Sequence, residues 1–115
     1  MEKFVLIIIM LSIIGCTIKP QKSVPEDYVA GQKYFHQVCA NCHGVDAAGG
    51  NKAPTFLQEK FLPTNFTNGK IAKTILNGSS SGAMPSQKNK VNDEQIKEII
   101  RSIRFSQSEA GIHFP

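Results

Sequence analysis

Cys39-Ala40-Asn41-Cys42-His43 places two thiols three positions apart, with an imidazole directly after the second. Three chemistries use such an arrangement: a dithiol that cycles through a disulfide, half of a zinc site, and covalent attachment of haem c. Each demands different surroundings. A zinc site wants two more Cys or His ligands at similar spacing, and the other histidines, His36 and His113, stand alone. A thioredoxin-like pair opens a helix that follows a strand inside a βαβ pattern. Here the residues before Cys39 carry a helical period instead. On one helical turn the two thiols can add to the two vinyl groups of one porphyrin edge, and the adjoining imidazole then meets the iron from that side. Haem attachment is the reading that the rest of the chain favours.

The helical period is visible in Tyr28, Gly31, Phe35, Val38 and Cys42, which recur every three or four residues and set the cysteines at the end of a helix. Ser23-Val24-Pro25-Glu26 predicts its start, with Ser23 as the cap, Glu26 three residues on and Pro25 in the first turn. His36, on the same helix, reads as a partly exposed surface histidine. A second helix is predicted from Asn68, with Ile71 and Ile75 one turn apart and Asn77-Gly78 as its stop. A third starts at Asn92, capped with Gln95, and carries Ile96, Ile99, Ile100 and Ile103 at i, i+3, i+4 and i+7. Arg101 and Arg104 suit the negative end of its dipole. Residues 106–115 show no helical period and read as an irregular tail.

The apolar residues are unevenly spread. Phe4 to Ile14 is an eleven-residue run without charge, directly after Lys3. As a helix it would cover about 16 Å, against a hydrocarbon core of about 30 Å, so it is too short to span. A basic start, a short apolar segment and a small residue describe an export signal over residues 1–15. Its ending, Ile13-Ile14-Gly15-Cys16, resembles a bacterial lipobox, in which the cysteine is acylated and becomes the new amino terminus. An ordinary cleavable signal or an uncleaved anchor is the alternative. Residues 16–25 are then a lipidated cysteine and a polar tether, and Thr17 to Ser23 reach at most about 24 Å. The expected location is extracytoplasmic, on a membrane by way of the lipid.

With Cys16 assigned to lipid, the odd count of three cysteines leaves the pair at 39 and 42. The 115 residues allow one domain, and the formal charge of +4 is modest and dispersed. Nucleic-acid binding would ask for clustered Lys and Arg with interleaved aromatics, so it is not expected. A six-coordinate haem needs a second axial ligand. Past the signal there is one methionine, Met84, in Gly82-Ala83-Met84-Pro85 after Gly78-Ser79-Ser80-Ser81, on a loop and off any helical stripe. His113 ranks behind it, since it could reach iron only by folding the tail inward.

Together, Gly31-x-x-x-Phe35-x-x-x-Cys39-x-x-Cys42-His43-Gly44, Gly50-x-x-Ala53-Pro54, Asn77-Gly78 leading to Met84-Pro85, and Asn92-Asp93-Glu94-Gln95-Ile96 resemble the class I monohaem c-type cytochromes over residues 26–105. The resemblance implies an all-α cytochrome c fold of three to five helices around one covalent haem c. It implies His43 and Met84 as axial ligands, with terminal helices crossing over Gly31. It further implies that the carbonyl of Pro54 orients the proximal imidazole. The family's aromatic residue near position 102 is replaced by Ser102-Ile103, so either Phe105 takes over that packing or the crossing is looser.

Such a chain is expected to be a one-electron carrier and not an enzyme, because full coordination leaves no position for substrate. Redox proteins, namely an oxidase, reductase, peroxidase or dehydrogenase, are the expected partners, with Lys52, Lys88 and Lys90 as candidates for a basic rim. A haem subunit of a larger dehydrogenase or reductase is the alternative. Gly44 to Asn68 holds few large aliphatics, so the core is expected to depend on the porphyrin.

Overall fold

The computed structural model describes residues 18–50 and 52–112. The apolar run 4–14, the lipobox cysteine Cys16 and His113 lie outside the described residues. The described residues form four helices, α1 (Glu26–Val38), α2 (Ala40–His43), α3 (Asn68–Asn77) and α4 (Asp93–Glu109), with single 3-10 turns at Val45–Ala47 and Glu59–Phe61. Among the described residues there is no strand, and the chain is all-α as its periodicities predict. No helix among them is long and apolar enough to cross a membrane.

α1 and α4 form the main helix pair. They approach so closely at Gly31 that a Cβ there would run into the backbone carbonyl of Glu98. The isoleucines of α4 at 96, 99, 100 and 103 are all buried, together with Phe35 of α1 and Ile71 and Ile75 of α3. Phe105 takes over at the crossing, stacked on Tyr28 with ring centroids 4.3 Å apart. The start of α4 is capped as expected. The Gln95 N–H donates to Asn92 Oδ1 at 2.8 Å, and the Asn92 N–H donates to Gln95 Oε1 at 2.9 Å. α3 ends at Gly78, in the left-handed region with φ 80°, and begins at Thr67, whose hydroxyl accepts the Lys70 N–H.

Three expectations are corrected. α1 begins one residue after Pro25, itself the extended cap position, and Ser23 makes no cap. A proline disfavours helical geometry in the residue before it, so Val24 stays outside. α4 does not stop at residue 105 but runs to Glu109. Its next inward position after Ile103 is Gln107, only 1% exposed, a polar residue that an apolar period overlooks. The tether is also not free along its length. Asp46 Oδ2 accepts the N–H groups of Gln21 and Lys22 at 3.2 Å each, and Gln32 Nε2 donates to the Lys22 carbonyl at 2.6 Å.

Candidate cofactor site

α1 ends at Val38 and the chain kinks at Cys39 into the single turn α2, which carries Cys42 and His43. Gly44 then turns the chain at φ 82°, and a Cβ there would collide with the carbonyl of Gly49. The Gly49 N–H closes the loop onto the His43 carbonyl at 2.7 Å. Two non-glycine residues follow in left-handed geometry, Asp46 at φ 54° and Ala47 at φ 63°. Such conformations cost on the order of 1 kcal/mol each and need external support. The Asp46 N–H finds His36 Nε2 at 3.0 Å, and the Ala47 carbonyl accepts both the Phe56 N–H at 3.1 Å and the Thr55 hydroxyl at 3.2 Å.

That bend explains His36, which is 6% exposed and not the surface residue expected. Its Nε2 accepts from Asp46, so Nδ1 carries the proton donated to the Gln32 carbonyl at 2.7 Å. The ring is a satisfied support for the turn. No flanking apolar pattern in the sequence announces this partner, because Asp46 reaches it only through a left-handed backbone.

The bend also aims Phe56 at the imidazole of His43, and the two rings stack with centroids 4.3 Å apart and planes 23° from parallel. Phe56 is in turn held from the far side of the molecule. Gln107 Nε2 donates to the carbonyls of Phe56 and Phe61 at 2.9 and 3.0 Å. Arg104 donates to the carbonyls of Phe61 and Phe66, to Asn68 Oδ1 and to Gln107 Oε1. Arg104, read as a partner of the helix dipole, is therefore a clamp on the loop that faces the site.

One cleft of about 760 Å³ is lined by Cys39, Cys42, His43, Pro54 and Met84, within the range of small-molecule and cofactor pockets. Val38, Lys52, Gln87 and Lys90 are also part of its wall, whereas Lys88 lies off it. Met84 sits on a loop that bonds to itself. The Ser79 N–H donates to the Met84 carbonyl at 2.9 Å, and the Met84 N–H donates to Ser79 Oγ at 3.0 Å.

The electrostatics narrow what the cleft can do. Burial, with a smaller push from Cys42, raises the Cys39 thiol to about 12. A redox dithiol needs the opposite, an attacking sulfur whose pKa is lowered. Burial pushes His43 below its ordinary 6.5, so the ring is neutral at physiological pH, the state a metal ligand requires. The backbone of Pro54 acts in the opposite, raising direction, although no hydrogen bond of ordinary distance and angle closes between the two. Among the described residues no three His, Cys, Asp or Glu side chains converge as a zinc set would.

Two buried side-chain atoms in this wall have no hydrogen-bond partner, His43 Nδ1 and Gln87 Oε1. Buried polar groups are normally satisfied, so a cleft with two orphans fits an occupant or a small closure that supplies the missing contacts. Gln87 was not read from the sequence. Its one signal is its place two residues after Pro85, on the loop that carries Met84.

The sequence family described as cytochrome C oxidase, cbb3-type, subunit III matches residues 26–101. Among solved structures the chain is similar to one described as KustC0563 c-type cytochrome, at TM-score 0.59 and 24% identity, over 67% of this chain and 96% of that one. That likeness speaks for the cytochrome c fold. No curated protein matches the chain.

Proposed function

The chain belongs to the family of cytochrome C oxidase, cbb3-type, subunit III, and from that premise we propose that it is a lipid-tethered one-electron carrier with a single haem c, ligated by His43 and Met84. Family membership supports electron transfer through covalently bound haem c. The observation that carries the finer reading is the convergence of Cys39, Cys42, His43, Pro54 and Met84 on one cleft.

When bound, the haem supplies an iron that changes charge by one with little rearrangement. The protein does the rest. Cys39 and Cys42 would hold the porphyrin covalently through their sulfurs. The stacked face of Phe56 sets the plane of the His43 ring, and a slight closure onto the Pro54 carbonyl would satisfy Nδ1 and fix the tautomer that leaves Nε2 for iron. The bonds between Ser79 and Met84 hold the thioether sulfur at the wall without a helix. A Met sulfur favours ferrous iron more than a second imidazole would, which raises the potential. Lys52 and Lys90 on the rim suit an acidic partner, with an association that weakens as salt rises.

The setting proposed is the outer face of a membrane, with Cys16 acylated, residues 1–15 removed and residues 26–109 as the haem domain, exchanging electrons with a respiratory oxidase, reductase, peroxidase or dehydrogenase. The family's description favours one alternative, a haem c subunit that stays within an oxidase-type complex. Purification under mild conditions separates the two, since a subunit would remain with its enzyme.

The test is the visible spectrum of the oxidised protein from cells that mature c-type cytochromes. A weak sulfur-to-iron charge-transfer band is expected, and Met84→Ala should abolish it, keep the haem and lower the potential. A protein without haem would overturn the proposal, and a Met84→Ala spectrum identical to the parent's would overturn the ligand assignment.

A further inference from the structure

We propose that the outer face of α1, together with the docked segment Ile18–Lys22, is a surface that lies on an anionic lipid bilayer and turns the cofactor cleft away from it. This rests on the reading of Cys16 as the lipidated residue. Val29 is the exposed large hydrophobic side chain among the described residues, at 50% exposure. It lines a shallow groove with Lys33, one turn further along α1, and with Ile18 and Lys19 of the docked segment. Ile18 also packs against the core. Glu26 is the one acidic residue on that helix face, and it is outnumbered by the two lysines.

The docking gives this surface its orientation. Asp46 and Gln32 hold the backbone of Gln21 and Lys22, so the segment cannot swing round the domain. Only Thr17 separates Cys16 from Ile18, and the two residue steps reach at most about 7 Å. The groove is thereby kept within about one Debye length of the bilayer, where lysines are attracted to anionic headgroups with little screening. Val29 supplies apolar contact to the interface between headgroups and chains. At 100° per residue, Val29 and Val38 are half a turn apart on α1. Val38 lines the cofactor cleft. A domain resting on Val29 therefore presents its cleft to the aqueous side, where a partner approaches.

The native, haem-loaded, full chain tests this without substitution. It would be reconstituted into vesicles of phosphatidylcholine, and into vesicles of phosphatidylcholine mixed equally with phosphatidylglycerol, and its lysines acylated with a water-soluble reagent. Lys19 and Lys33 should react about fivefold more slowly on the anionic vesicles, while Lys52 and Lys90 on the cleft rim keep their rates. Val29→Ser, at an exposed position, should weaken the protection and leave the visible spectrum unchanged. Equal reactivity of Lys19 and Lys33 on both vesicles overturns the proposal, as does protection of Lys52 and Lys90 in their place, the result expected if the lysine face meets an acidic protein instead. The mass of the amino-terminal peptide reads the anchor separately. A peptide without acyl groups overturns the lipid reading, and the surface then stands if Lys19 and Lys33 are still protected and falls if they are not.

Discussion

The crossing of α1 and α4 and the loop half that faces the cleft are built on different principles. At the crossing, side chains satisfy one another: the isoleucines of α4 lie against Phe35, Phe105 stacks on Tyr28, and backbones touch at Gly31. In the loop half, residues 44–67 hold their shape through backbone hydrogen bonds, two strained left-handed residues and a polar clamp from α4. The cleft that this half borders also carries the two unpartnered buried atoms, on His43 and Gln87. One region is packed by side chains that satisfy one another, and the other borders a cleft where buried polar atoms stand without partners. The difference predicts that the two can be damaged separately.

The largest effect is expected from removing the occupant. A Cys39→Ala/Cys42→Ala chain should carry no haem and lose the fixed structure of the loop half and part of its helix, because the apolar surface of the porphyrin is missing beside residues 44–68, which hold few large aliphatics of their own. Circular dichroism showing full, cooperative helix in that variant would refute the dependence. Gly31→Val attacks the other region. Its side chain meets the Glu98 carbonyl, which cannot rotate aside, so the helices must separate, at about 3 kcal/mol or more. Denaturant unfolding of the haem-loaded variant measures the loss, and an unchanged midpoint would mean that the helices do not cross as described.

Gln107→Leu cuts the link between the two regions. It leaves the Phe56 carbonyl and one Arg104 N–H without a partner and the Phe61 carbonyl with Arg104 alone, which costs roughly 2 kcal/mol for the group. Hydrogen exchange should rise in residues 56–66 far more than in the amides of α1 around Gly31. Uniform loss of protection would show that the halves are a single cooperative unit after all.

This separation also accounts for what could be read from the chain. The crossing was legible because its information is periodic: isoleucines at helical spacing, a glycine where backbones meet, and an Asn92–Gln95 capping box. The cleft residues Cys39, Cys42, His43, Pro54 and Met84 were legible as motifs, since their chemistry needs those residue types at those places. Phe56, Gln87, Gln107 and the pair of His36 and Asp46 were not. Each acts through a contact made by an irregular backbone or a polar inward position, and neither leaves a period in the sequence. Arg104 shows the limit most plainly, because its position at the end of a helix suggested a dipole partner while its guanidinium reaches carbonyls about forty residues away in the chain.

Protons give the smallest effect, and the one that resolves the regions without any substitution. Burial holds His43 below its ordinary 6.5, so the folded protein binds that proton less readily than the unfolded chain does. Stability from this group is therefore fully present above 6.5 and is lost as pH falls through the lowered folded value. Ligation of iron has the same sign, since only the neutral ring can bind. Mild acid should accordingly loosen the cleft before the crossing. In the haem-loaded protein, the visible bands that report axial ligation should change at a higher pH than the far-ultraviolet signal of α1 and α4. If both signals move together, the helices draw their stability from the ligated ring, and the crossing is not the self-sufficient region that its packing describes.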